Sequence, residues 1–86
     1  MHRNNEIDLI KENAYKCFFC ENIDVEFGLN KSVLVVNLND FNEAITIFQI
    51  KDFVKLTKHI VAFYDNSNCA IKVTNNGLNL RFSLII

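Results

Sequence analysis

The spacing of apolar residues changes period near position 66, and that change dictates what the second half of the chain can form. Across residues 52–65, Phe53, Leu56, Ile60 and Phe63 recur at three- and four-residue steps, with Val54, Val61 and Tyr64 beside them, which predicts one amphipathic helix. After Asn66, Ser67 and Asn68 the period is two. Cys69, Ile71 and Val73 alternate with Ala70, Lys72 and Thr74, then Leu78, Leu80, Phe82 and Leu84 alternate with Asn79, Arg81 and Ser83. Asn76-Gly77 between the two runs predicts a tight hairpin, because a type I′ turn needs positive φ at both central residues. In that register Val73 opposes Leu80 and Ile71 opposes Phe82, so both strands offer their apolar residues to one side.

The first half carries weaker versions of the same signals. Asn4 and Asn5 suit a helix cap, and Ile7, Ile10, Ala14, Cys17 and Phe18 fall near one face, which predicts a helix over about 6–19. A competing reading ends that helix near Asn13 and starts a strand at Tyr15. Ile23, Val25 and Phe27 alternate with Asp24 and Glu26 as a half-buried strand, and residues 28–32 supply a turn. The nearly continuous apolar run over 33–38 predicts a central strand covered, at least in part, on both faces. A turn over 39–42 and a third strand over 44–50 complete a meander. The expectation is a single α+β domain over residues 1–86: helix, three-strand meander, helix, hairpin. It has a largely antiparallel five-stranded sheet with its helices packed mainly on one face. Apolar residues on both sides of two strands leave a surplus for the N-terminal helix, a partner or a second copy to cover.

Composition removes several classes of function. Eighty-six residues, half of them hydrophobic and eight of them Phe, make one compact core without disulfide staples. A net charge of −1 argues against nucleic-acid binding by bulk electrostatics. The count of three Cys and the polar start at 1–5 point to a reducing, cytoplasmic setting, and no apolar run reaches the roughly 18 residues of a membrane span. The chain has no Pro, no Trp and only two Gly beside abundant Asn, Ile and Lys, a bias that resembles AT-rich bacterial or phage genomes. Two Gly cannot build a phosphate-cradling loop, and there is no nucleophile elbow, zinc-protease helix or calcium loop.

Among residues able to carry chemistry, Cys17 and Cys20 have knuckle spacing, with His59 and Cys69 as distant completing ligands. The second close pair of a zinc site is missing, and core filling by Cys17-Phe18-Phe19-Cys20 is favoured, with neither metal nor cofactor expected. His59 reads as a boundary residue of the second helix, partly packed on the sheet, and His2 as part of a frayed terminus. Lys51, Lys55 and Lys58 share a helix face while Lys72 and Arg81 oppose each other in the hairpin; a solvated surface is favoured over an anion-binding basic patch. Glu21, Asp24, Glu26, Asp40 and Glu43 form an acidic edge, suited either to a basic partner or to keeping other strands off. Nothing assembles a nucleophile, a base and an oxyanion donor, so an enzyme is the least favoured class.

The order of strands, then Ile-Lys-Asp-Phe-Val-Lys-Leu-Thr-Lys-His-Ile as a helix, then a hairpin ending Leu-Arg-Phe-Ser-Leu, resembles small bacterial immunity proteins that neutralise toxins. It is similar also to phage inhibitors of host defence enzymes. The resemblance is one of pattern over about half the chain and transfers no functional residue. It implies a non-enzymatic inhibitor that binds and blocks a larger protein, and the residues themselves offer the acidic first strand and meander edge as the surface for it. The alternatives are a homodimeric structural or regulatory domain paired through Leu84, Ile85 and Ile86, and a weak nucleic-acid binder using the basic patch.

Overall fold

The computed structural model describes residues 2–64, 70–74 and 77–86. The elements run α1 (His2–Phe18), β1 (Asn22–Gly28), β2 (Val33–Asn39), α2 (Ile47–Thr57), β3 (Ala70–Val73) and β4 (Leu80–Ile85). The class is α+β, as expected, but the five-stranded sheet with its three-strand meander is not formed. Three strands of six or seven residues make the body of the sheet, the four-residue β3 adds one edge, and the order is β1-β2-β4-β3, antiparallel throughout.

The missing strand is 44–50. Thr46 caps α2: its hydroxyl accepts from the Gln49 amide at 3.1 Å and the Gln49 side chain accepts from the Thr46 amide at 2.8 Å. This reciprocal pair satisfies two amides at a helix start and diverts the β-branched run into a helix. Ile50, Phe53 and Thr57 then form the buried stripe, and Leu56 points outward. The second helix is therefore shifted from the expected 52–65. It ends where the Thr57 carbonyl accepts from the amides of both Ile60 and Val61. Ile60, Val61 and Phe63 still pack against the core, as a turn and an extended segment whose Tyr64 amide donates to the Ile85 carbonyl at 3.1 Å.

Other expectations hold. The first helix continues through Tyr15 to Phe18, so the alternative strand is not formed, and β2 lies inside the sheet. The hairpin register pairs Val73 with Leu80, Ile71 with Phe82 and Lys72 with Arg81. At its turn, Gly77 has φ +69 and its amide donates to the Thr74 carbonyl; Asn75 and Asn76 lie outside the described residues, so the type I′ turn is untested. The break at Asn66, Ser67 and Asn68 also lies outside them, as does Cys69.

Both helices cover one face of the sheet. Ile10, Ala14, Cys17 and Phe18 of α1 and Ile50 and Phe53 of α2 share a cluster with Ile23, Val25, Leu34, Val36, Leu38, Leu80, Phe82 and Leu84. At its centre the rings of Phe18, Phe53 and Phe82 meet at centroid distances of 5.6, 5.3 and 6.2 Å. Val35 is only 7% exposed yet stands outside that cluster, because alternation along β2 turns it to the opposite face among its strand neighbours Glu26 and Ser83.

Candidate functional site

Two features at the end of α1 shape the most distinctive surface. Phe19 takes a left-handed conformation (φ 56) while its amide closes the helix on the Tyr15 carbonyl at 2.9 Å. That reversal swings the Phe19 ring outward, leaving it 80% exposed, whereas Phe18 is interior. The expectation that both rings fill the core is therefore half right.

On one side of Phe19 lies a depression of about 340 Å³ whose rim carries Glu21, Asp40 and Glu43. The strand ends that meet there are pinned. The Asn22 side chain donates to Asp40 Oδ2 at 3.4 Å, and the Asp40 amide donates to Asn79 Oδ1 at 2.9 Å. Asp40 itself is left-handed (φ 53), which a short polar side chain tolerates. Phe41 is buried beside it, its amide bonded to the Leu78 carbonyl. On the other side of Phe19, a shallow groove of about 560 Å³ runs between the helices, lined by Lys16, Cys17, Gln49, Asp52, Lys55 and Leu56. Gln49 bridges its floor by donating to the Cys17 carbonyl at 3.0 Å.

The acidic edge is thus divided. Glu21, Asp40 and Glu43 surround the depression, whereas Asp24 and Glu26 stand on β1 and face the side of the sheet that the helices leave open. Asn39 donates to Asp24 Oδ2 at 2.9 Å and fixes that carboxylate. The basic patch is divided as well. Lys51, Lys55 and Lys58 are exposed along α2, while Arg81 lies on the open sheet face and Lys72 is its backbone partner in β3. Of the three C-terminal residues, Leu84 is in the core and only Ile85, 42% exposed, reaches the open face. Ile86 is half-buried against the core, its amide bonded to the Ser32 carbonyl at 2.9 Å. His59 is exposed in the turn past the end of α2 rather than on the helix itself. His2 opens α1.

The two described thiols are set for structure. Burial pushes the pKa of Cys17 up, helped by the negative charge of Asp52, and burial likewise raises that of Cys20. The Cys20 thiol donates to the Asn22 and Asn39 carbonyls at 3.5 and 3.6 Å, tying the start of β1 to the end of β2. A thiol held protonated is a poor nucleophile and a poor metal ligand. Among the described residues no three His, Cys, Asp or Glu side chains are grouped to hold a metal ion, and no helix is long and apolar enough to cross a membrane.

The exposed ring of Phe19 and the groove behind it were hidden from sequence reasoning. A Phe-Phe pair within an apolar run carries no mark of which ring turns out, and the groove exists only because residues 47–50 are helical. No protein-family model matches the chain, and no curated protein or solved structure is significantly similar to it.

Proposed function

We propose that this protein is a non-enzymatic binding module of the inhibitor or immunity type, acting in the cytoplasm of a bacterium, or of a host if phage-encoded, by capping a basic surface of a larger protein. The observation that carries this reading is Phe19, an aromatic side chain 80% exposed between a carboxylate-rimmed depression and an apolar groove. Binding energy at protein interfaces concentrates in aromatic anchors that become fully desolvated, and surrounding charge speeds and selects the encounter. Glu21, Asp40 and Glu43 supply that charge, and Tyr15, Phe48 and Leu56 add exposed apolar surface on the two helices. The single acid–base contact among the described residues, Glu12 with Lys16 at 3.6 Å, lies elsewhere, so the rim carboxylates are not neutralised by ion pairs within the described chain.

The test is capture of a partner by the intact protein, compared with Phe19→Ala and with the triple variant Glu21→Lys, Asp40→Lys, Glu43→Lys. One protein retained at equal stoichiometry by the wild type, and lost by both variants while their circular dichroism is unchanged, is the expected result. A partner retained equally by all three forms would overturn the assignment of this surface.

A further inference from the structure

The open face of the sheet is a second surface, and its pattern is self-complementary. Three rows cross β1, β2 and β4: Asp24–Asn37–Arg81, Glu26–Val35–Ser83 and Gly28–Val33–Ile85. β2 is the middle strand of each row, with its neighbours about 4.8 Å to either side. One flank is acidic and the other carries Arg81, which has no ion-pair partner among the described residues. A two-fold axis running along β2, between two such faces, lays β1 of one copy over β4 of the other without changing rows. Asp24 then meets Arg81 of the second copy, the half-buried Val33 meets its own equivalent, and Gly28 lies under the second copy's Ile85.

Gly28 supplies an independent observation. A Cβ at this position would touch Val35 Cγ2 at 3.8 Å, an ordinary contact, and its φ lies outside the left-handed region that favours glycine. Nothing within the subunit therefore requires glycine there. Gly28 closes β1 at the turn, and the missing side chain at that strand end leaves room for another chain to approach, here the half-exposed Ile85 of a second copy.

We infer that this chain forms a weak two-fold dimer through the open sheet face, with Asp24 against Arg81 and Gly28 receiving Ile85 across the interface. The footprint of three short strands is about 15 by 20 Å, well below the roughly 800 Å² per partner of a stable complex. Association is accordingly expected to be weak and visible only at high protein concentration. This surface is separate from the Phe19 surface, so either assignment can fail without the other.

Sedimentation equilibrium of the full chain tests it by charge reversal. The wild type should dimerise, and Asp24→Arg alone or Arg81→Asp alone should bring like charges together twice per dimer and weaken association at least about tenfold. An equal mixture of the two single variants restores both opposite-charge contacts in a heterodimer and should associate again. Gly28→Val should keep or raise the thermal midpoint while abolishing the dimer. On the unmodified protein, amide shifts that change with concentration should be confined to the three rows. A wild type that stays monomeric at about 1 mM, a mixture that fails to associate, or dimers indifferent to Gly28→Val would overturn the inference.

Discussion

The side-chain amide of Asn13 donates to Thr57 Oγ1 at 3.1 Å and lies 3.3 Å from the Leu56 carbonyl, joining α1 to the last turn of α2. Thr57 is completely buried, so its hydroxyl must find a partner, and Asn13 provides it. Thr57→Val keeps the shape but removes the acceptor, and is expected to cost about 1–2 kcal/mol in urea unfolding. Asn13→Ala should cost a similar amount. In a double-mutant cycle the two losses should be non-additive by at least about 0.5 kcal/mol, and simple additivity would show that the contact carries no energy.

The ring cluster of Phe18, Phe53 and Phe82 ties both helices to β4. Phe53→Ala removes a fully buried ring and should cost about 3–5 kcal/mol, a large part of the stability of a domain this size. Phe53→Leu should retain most of that. Thermal unfolding of the two variants separates these outcomes, and equal midpoints would place the core elsewhere.

The β1–β2 turn contains three successive left-handed residues, Leu29 (φ 48), Asn30 (φ 57) and Lys31 (φ 66). Only Asn among them is a residue type that adopts this conformation readily. Leu29 is also largely exposed, so Leu29→Gly sacrifices no packing and relieves backbone strain. A gain of about 1 kcal/mol is expected in chemical denaturation, and a loss would mean that the turn is not left-handed.

Raised thiol pKa values at Cys17 and Cys20 have a definite sign in the stability profile. The folded chain holds these protons more tightly than the unfolded chain does. The contribution to stability is therefore complete below the unfolded thiol pKa of about 8.5 and is lost as pH rises through the higher folded values. Unfolding free energy should be nearly flat from about pH 7 to 8 and fall above about pH 9, less steeply in a Cys17→Ala, Cys20→Ala variant. In a Cys69→Ser background, iodoacetamide at neutral pH should label the remaining thiols only as fast as the protein opens. Rapid labelling of the folded protein would contradict their burial.

Helix capping overrides the strand expected over residues 44–50, and Thr46→Ala should cost about 1 kcal/mol by removing one acceptor of the cap. The same residues show why the sequence was only partly legible. Ile45, Ile47 and Phe48 favour a strand by side-chain type, yet Thr46-Ile47-Phe48-Gln49 also spells a capping box, and burial of Ile50 and Phe53 three residues apart settles the contest for the helix. Where one period dominated, reading was easier: β1 alternates cleanly and the β3–β4 register follows from strict alternation, whereas β2, expected to be covered on both faces at least in part, has the helices on one face only. The acidic residues could be recognised as a group, but not their separation into a rim and a sheet flank, because that depends on the left-handed Asp40 and on the order of the strands.

The most direct test of the account is a titration of the isotopically labelled protein with the partner it captures, following backbone amides by nuclear magnetic resonance. Binding through the Phe19 surface predicts that the amides of Phe19, Glu21, Asp40 and Glu43 and of the facing turns of α1 and α2 shift together. Shifts confined to the open sheet face, with Phe19 and its carboxylate neighbours unmoved, would contradict it.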